Sequence, residues 1–597
     1  MVAQVEKTPG IGREGGIGMT HAKRGYARAA WELAKYYWSS EDKWWAWGLL
    51  LAVGFLTLLS VGLNLGLNIW RGAFFNAIQQ LDENAFFLQI GVFAGLSAVL
   101  VAIFVYQTYL QQMLQIRWRR WLTRRYLNAW LDERAYYRLQ ISDGGTDNPD
   151  QRIADDLDRF TKHTLLLAVG TTSFLSAALS LVVFGVMLYG LSGTLAIPLG
   201  AWGKIELPGY LMWAAFIYAV GGTWFTFKIG RPLVRLNFDQ QRYEADFRFS
   251  LVRLRENTES VAFYGGEARE FGTFTDRFTN VVSNFWSIMK RVKVLGWYTK
   301  TYDQIAIVFP FLVAGPQLFS GQMQLGGLMQ TAAAFFEVQV ALSFIVKNYI
   351  EIAEWQSVVD RLSTFDKRVR DIAAAARAPQ QIEVTSSGSG FEVTDLELDL
   401  PDGTPLLRDV GFEVAQGEAL LIAGPTGTGK STLLRAIAGI WPYGRGRIRL
   451  GSGSSLFLPQ RPYLPLGTLR NAVLYPSEYL SVPEARIVAV LREVELPELI
   501  GELDSVQNWS QRLSLGEQQR LAFARVLLTQ PDMIFLDEAS SALDEASETH
   551  LYRLLRAASW HPTVVSVGHR GTLRVLHDRV LDLGAMCTRR QGLTVVR

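Results

Sequence analysis

The chain has 597 residues, 59 Lys and Arg against 56 Asp and Glu, and a net charge of +3. With 49% hydrophobic residues, and 19% charged against about 25% in ordinary domains, it is no disordered chain and no dedicated nucleic-acid binder. Its one cysteine, Cys587, excludes an intramolecular disulfide framework and a cysteine-built zinc cluster. A mean hydropathy of +0.12 is high for a soluble protein and low for an all-membrane one, as an average of two unlike halves would be.

The first 18 residues lack the apolar core of an export signal, so no cleaved leader is expected. Residues 31–47 (WELAKYYWSSEDKWWAW) gather Trp and Tyr as a helix at the membrane–water boundary does. Six apolar stretches follow, at about 46–70, 86–109, 164–190, 209–230, 305–319 and 326–346. Each approaches the roughly 20 residues that cross a bilayer. The loops between spans two and three and between four and five are long and basic, with Arg117, Arg119, Arg120, Arg124 and Arg125 in one and Arg231, Arg235, Arg242 and Arg248 in the other. The remaining loops offer little beyond Arg71 and Lys204. Positive charge gathers on the cytoplasmic side, so the N-terminus, both long loops and the C-terminal half are expected there. As helical arms of about 20 residues, each long loop would project about 30 Å from the bilayer. Asn64, Asn68, Asp303, Gln330, Glu337 and Gln339 are polar groups in or beside the spans. Polar groups there are costly, which makes Glu337 and Gln339 the candidates for a substrate cavity. Residues 373–390 (AAAARAPQQIEVTSSGSG) have little to bury and read as a linker.

Beyond the linker, LLIAGPTGTGKS (420–431) runs from an apolar strand into a glycine-rich loop and then a helical pattern. Gly424, Pro425, Thr426, Gly427, Thr428, Gly429, Lys430, Ser431 and Thr432 form a phosphate-binding loop. Its backbone N–H groups and helix N-terminus face the phosphates, Lys430 reaches the β- and γ-phosphates, and Ser431 a Mg²⁺ ion. The strand MIFLDE (533–538) ends in Asp537, suited to the Mg²⁺ shell, and Glu538, suited to polarising the attacking water. The expected cofactors are ATP and Mg²⁺. The chain thus divides into a tail and interfacial helix (1–45), a six-helix transmembrane domain with helical arms (46–370), a linker (371–390) and an α/β nucleotide-binding domain (391–597).

LSLGEQQR (513–520) resembles the signature of ABC ATPases, usually Leu-Ser-Gly-Gly-Gln. Leu515 and Glu517 depart from it, while Ser514 and Gly516 keep a hydroxyl and a close backbone N–H at a helix N-terminus. The resemblance implies ATP contacts for Ser514, Gly516 and Glu517. It makes Gln460, in LFLPQRPY, the Q-loop glutamine near Mg²⁺; Asp544, in SALD, a dimer contact; and His569, in VVSVGHR, the γ-phosphate contact. Where the family places an aromatic against adenine this chain has Leu400, leaving the base to apolar packing or to another residue such as Phe391. The arm sequences NPDQRIADDLDRF (148–160) and ENTESVAFYGGEARE (256–270) look like those of ABC subfamily D and its bacterial SbmA/BacA-related branch. Asn148, Arg152, Glu256 and Glu259 are accordingly expected to couple the arms to the nucleotide domain.

An exporter-type ABC half-transporter of the bacterial inner membrane is implied. It would pair with a second copy to complete two composite ATP sites, and move bulky hydrophilic solutes or peptides, cobalamin among them, inward. Export of lipids or drugs, acyl-CoA transport, and an ATP-gated channel or membrane regulator are the alternatives.

Overall fold

The computed structural model describes residues 25–143, 149–170, 173–198, 204–378, 381–476 and 482–584. Asn148, Cys587 and the first 24 residues lie outside them. The chain forms two compact units: residues 1–129 with 148–368, and 130–147 with 369–597.

The first unit is helical. The helix Tyr26–Trp38 buries Tyr37 against Trp118, and among the described residues six helices are long and apolar enough to cross a membrane. Three of them run far beyond a span: Glu83–Leu131 (49 residues), Tyr210–Glu256 (47) and Glu267–Phe319 (53). The apolar surface of the second span faces outward, with Phe87, Leu88 and Val101 all above 60% exposed, as lipid-facing side chains are. The third span departs from the expected 164–190. The helix Leu157–Ala168 stops, and a new one, Phe174–Ser192, starts where the Ser173 hydroxyl accepts the Ser176 N–H. A serine cap satisfies the N–H groups that a helix start leaves free, and apolar content alone does not reveal it. Between spans three and four the strands Thr194–Pro198 and Lys204–Pro208 form an antiparallel hairpin.

Helix packing in the spans rests on small and amide side chains. Helices Lys43–Gln79 and Leu325–Leu342 approach so closely that a Cβ at Gly326 would lie 2.0 Å from the Gly72 carbonyl oxygen. Gln79 and Asn76 accept the free N–H groups of Leu325 and Gly326. Asn68, 3% exposed, turns its amide to donate to Gln330 O (3.2 Å) and accept from Ala334 N (3.1 Å). It is therefore a joint between spans rather than a cavity-lining group. Gln339, at 1% exposure, is likewise packed inside the bundle, while Glu337 is half-buried.

Below the spans, Asp156 is gripped by Arg361 (Nη2–Oδ1 2.6 Å, Nε–Oδ2 2.9 Å) and by Arg152 (2.9 Å). Arg152, expected to be a coupling residue, is thus tied up in a carboxylate clamp of the helical unit. Glu256 and Glu259 sit exposed at the tip of the second arm, beside the short helix Thr258–Tyr264.

The second unit carries the nucleotide motifs and the tip of the first arm. In the tip helix Ala135–Asp143, Ala135 and Leu139 are buried and Ile141 packs on the domain core. Arg134 donates to the Ala438 carbonyl at 3.0 Å. The expected linker has structure: Tyr349–Arg377 remains helical, and Ile382–Ser386 pairs in parallel with Gly444–Leu450, burying Ile382. Two sheets make the core. One holds four strands, in the order Ile382–Ser386, Gly444–Leu450, Phe391–Asp399 and Pro405–Val414. The other is parallel, in the order Arg579–Asp582, Ala419–Ala423, Thr563–Val567, Met533–Asp537 and Ser455–Leu458. Buried apolar strands such as Ala419–Ala423 suit a sheet covered on both faces, and ligands meet such sheets at the carboxyl ends of their strands.

Gly326→Ala is expected to force the first and sixth spans apart, costing about 1–3 kcal/mol as overpacking does. The unfolding midpoint of the detergent-solubilised chain should fall. Gly54→Ala, where nothing lies within 4 Å of the added Cβ, should leave it unchanged.

Candidate nucleotide site

The strand Ala419–Ala423, buried throughout, delivers the chain to the phosphate loop. Three glycines turn it: Gly424 (φ +147°), Gly427 (+85°) and Gly429 (+88°). Gly429 is also crowded, since a Cβ there would lie 3.0 Å from Leu406. Only glycine meets both demands. The helix Lys430–Ile437 then starts with its N–H groups facing the loop. Lys430 folds its ammonium back onto the loop, donating to the carbonyls of Gly424 and Pro425 at 2.8 Å each. Burial pulls the Lys430 pKa below the ordinary lysine value, against the pull of Glu538 and Asp537.

The Ser431 hydroxyl donates to Asp537 Oδ1 at 2.9 Å. Burial pushes the Asp537 carboxyl above its ordinary range, opposed chiefly by that hydrogen bond. A buried carboxylate touching a hydroxyl is a hard-oxygen pair, and a divalent cation would offset its desolvation. The residues present therefore fit Mg²⁺.

Glu538 follows at φ +50°, left-handed for a residue with a side chain. Gln460 Nε2 donates to its Oε2 (3.2 Å), and His569 Nε2 lies 3.1 Å from its Oε1. The structure thus brings Gln460, Glu538 and His569 together from three strand ends, beside Lys430, Ser431 and Asp537. A carboxylate with each oxygen held in this way can orient and polarise a water.

Ser514 caps the helix Leu515–Thr529 in a capping box with Glu517: the Ser514 backbone N–H donates to Glu517 Oε2 (2.8 Å) and the Glu517 N–H donates back to Ser514 Oγ (3.3 Å), while the Ser514 hydroxyl also donates to Glu517 Oε2 (2.7 Å). The Ser514 hydroxyl holds the Glu517 carboxyl below its ordinary range. Either Glu or Gln can close this box, which explains why Glu is compatible at 517. Gly516 lies against the Ala542 carbonyl, 3.3 Å from where its Cβ would be. Asp544 caps its own helix, Glu545–Arg556, through the Ser547 N–H (2.8 Å).

Three residues join these loops without having stood out in the sequence. Gln519, fully buried, donates to Gln460 O (2.9 Å) and Ser541 Oγ (3.2 Å) and accepts from Ala542 N (3.0 Å). Arg570 donates to the carbonyls of Leu543 (2.6 Å) and Ser541 (2.9 Å). Glu548, 1% exposed, accepts from Ser540 Oγ (2.6 Å) and Thr572 Oγ1 (2.8 Å). For Gln519 and Glu548 the available signal was a polar residue on the buried face of a helix. On the base side, Phe391 is ruled out as an adenine contact: it is 2% exposed, wedged between Phe412 and Phe535 in the core. Leu400 and Leu406 pack partly buried on that core, at the hairpin ahead of the loop.

Comparison with known proteins places these parts. Residues 33–319 match the family "ABC transporter transmembrane region 2", and residues 407–541 the family "ABC transporter". The chain is 34% identical to ABC transporter D family member 2, chloroplastic, of Arabidopsis thaliana, covering 93% of this chain and 85% of that protein. It is 32% identical to the inner membrane ABC transporter ATP-binding protein YddA of Escherichia coli (93% and 97%). It is 29% identical to the lysosomal cobalamin transporter ABCD4 of Mus musculus (79% and 80%). A bacterial Atm1-family ABC exporter with ATP bound shares the fold, with a TM-score of 0.71 at 18% identity over 91% of this chain and 97% of that one. The chain belongs to the ABC transporter family, as a half-transporter of the D type that joins an exporter-type membrane region to an ATPase domain.

Proposed function

We propose that this ATP-driven transporter works as a homodimer in the bacterial inner membrane and moves bulky hydrophilic solutes or peptides inward. The observation that carries the ATPase assignment of individual residues is Glu538, held between Gln460 and His569 beside the phosphate loop. In the proposed cycle Lys430 leaves the loop carbonyls for the β- and γ-phosphates, and loop N–H groups take the remaining charge. Ser431 and Asp537 hold Mg²⁺, which neutralises phosphate charge when bound. Glu538 orients the attacking water, and His569 faces the γ-phosphate. Ser514 and Gly516 serve the ATP site of the second copy, and Asp544 lies at the junction between copies. Leu400 and Leu406 offer adenine an apolar wall.

Coupling runs through the first arm tip, where Arg134 and Leu139 dock on the nucleotide domain. The second arm tip, with Glu256 and Glu259, exposes Phe263 (82%) and Tyr264 (88%) and is assigned to the other copy. Cobalamin as cargo is supported by the relative named a cobalamin transporter, and the inner membrane by the E. coli relative.

Glu538→Gln should retain ATP binding and lower turnover by about 100-fold or more, the scale of a lost general base. Nucleotide retention and phosphate release by the purified variant check this, and retained steady-state hydrolysis would refute the role. Lys430→Ala should instead weaken nucleotide binding itself.

Asp537→Asn separates stability from function. Because burial raises the Asp537 pKa, the native state binds that proton more tightly than the unfolded chain does. Its contribution to stability is therefore lost as pH rises through the raised pKa, and the ionised group is a cost above it. The neutral variant should melt higher than wild type at neutral pH without nucleotide, and lose the upward shift that Mg·ATP gives wild type.

Cells carrying wild-type protein should take up labelled cobalamin or an antimicrobial peptide, and Glu538→Gln cells should not. ATP-driven accumulation of the same solutes in inside-out vesicles would reverse the direction.

A further inference from the structure

The helix that leads to the third span meets the helix that leaves the sixth along an antiparallel seam. Asp156 takes Arg361, and one heptad further along, His163 faces Glu351 and Glu354 while Thr164 Oγ1 accepts Trp355 Nε1 at 2.9 Å. The Asp156–Arg361 and Thr164–Trp355 contacts are complete in themselves. The contact at His163 is not.

The His163 side chain is 8% exposed. Its Nδ1 is buried and makes no hydrogen bond, although Glu351 Oε2 lies only 2.8 Å away; Nε2 is 3.6 Å from Glu354 Oε2. Buried polar nitrogens are nearly always hydrogen-bonded, so this one needs an explanation. A shared cation supplies it. Two ligands each about 2.0–2.2 Å from a tetrahedral zinc-sized ion sit roughly 3.3–3.6 Å apart, so Glu351 would draw back slightly from its 2.8 Å as the ion enters. One ligand atom from each of His163, Glu351 and Glu354 lies within 4.8 Å of the others. The glutamates are three residues apart on one helix face, and their side chains, 42% and 43% exposed, are free to swing inward. A neutral imidazole with two carboxylates offsets the charge of a divalent ion. The imidazole favours a borderline transition metal over Mg²⁺. Glu354 also lines a cleft of about 150 Å³ with Arg159, Ser357 and Arg361.

We propose that His163, Glu351 and Glu354 bind one divalent transition-metal ion of the zinc class, stapling the helices Leu157–Ala168 and Tyr349–Arg377 where they meet the spans. No step of the ATPase chemistry uses these residues, so the site stands or falls independently of the transport reading.

The test uses the full-length chain without a polyhistidine tag, in detergent, nucleotide-free and with excess Mg²⁺ to fill weaker carboxylate sites. Titration calorimetry with zinc chloride should give one tight site per chain. His163→Ala should weaken it by at least about tenfold, as should the isosteric pair Glu351→Gln with Glu354→Gln, while His561→Ala leaves it unchanged. Bound Co²⁺ should show d–d absorption that zinc displaces and that His163→Ala lacks. Zinc affinity equal in wild type and in both ligand variants, or no site at all in wild type, would overturn the proposal. The glutamine pair preserves side-chain size, so it decides the matter even if His163→Ala unfolds the seam.

Discussion

The nucleotide domain depends on a single backbone reversal, the left-handed φ of +50° at Glu538. Along an extended strand, neighbouring side chains point to opposite faces. Leaving the strand at Asp537 and turning at once lets two adjacent carboxylates work on different partners. Asp537 stays half-buried against Ser431, and Glu538 swings out between Gln460 and His569. A side chain in that region costs about 1–3 kcal/mol, and such strain persists where the surroundings over-determine it. Here they do: the Glu538 N–H is fixed to Val567 O at 3.1 Å, and both carboxylate oxygens are occupied.

The loops around this turn are linked into one network. Gln519 reaches from the signature helix to the Q-loop carbonyl and the segment after Glu538, and Arg570 binds the carbonyls of that segment from the histidine side. Glu548 binds Ser540 and Thr572 beneath it. These hydrogen bonds tie the signature helix, the Q-loop, the segment after Glu538 and the histidine loop to one another.

Much of the architecture was legible in the chain because its signals are local. The phosphate loop needs glycines at fixed offsets, the acidic strand is a run of apolar residues ending in Asp537, and the spans announce themselves by length and hydropathy. What escaped was decided by three-dimensional company. The third span breaks at Ser173 because a hydroxyl caps better than a helix continues, and apolar content is blind to that. Arg152, expected to couple the first arm to the nucleotide domain, instead forms with Asp156 a clamp that includes Arg361, some 200 residues away in sequence. The true arm tip, 132–143, has an unremarkable composition and docks through Arg134 and Leu139. Phe391 was the right kind of residue for adenine, yet alternation along its strand turns it into the core. Gln519 and His163 are single polar residues on helix faces, and nothing short of packing distinguishes a buried one from a solvated one.

The two arms end in opposite conditions, and the contrast bears on why one chain is half a machine. The first tip buries Ala135 and Leu139 within its own nucleotide unit. The second ends in Phe263, Tyr264 and Phe271, each more than 70% exposed, around the turn at Gly265. Apolar surface left in water forfeits about 25 cal/mol per Å², and three aromatic rings at one loop tip form the kind of patch that marks an interface. In a C2 pair, what one copy offers the other must accept, so a single unpartnered tip creates two equivalent contacts when the pair closes. In such a pair the same symmetry would double the signature and the phosphate loop into two sites. An arm tip that finds its apolar partner only in the second copy would tie the shape of the membrane bundle to the closure of both ATP sites at once.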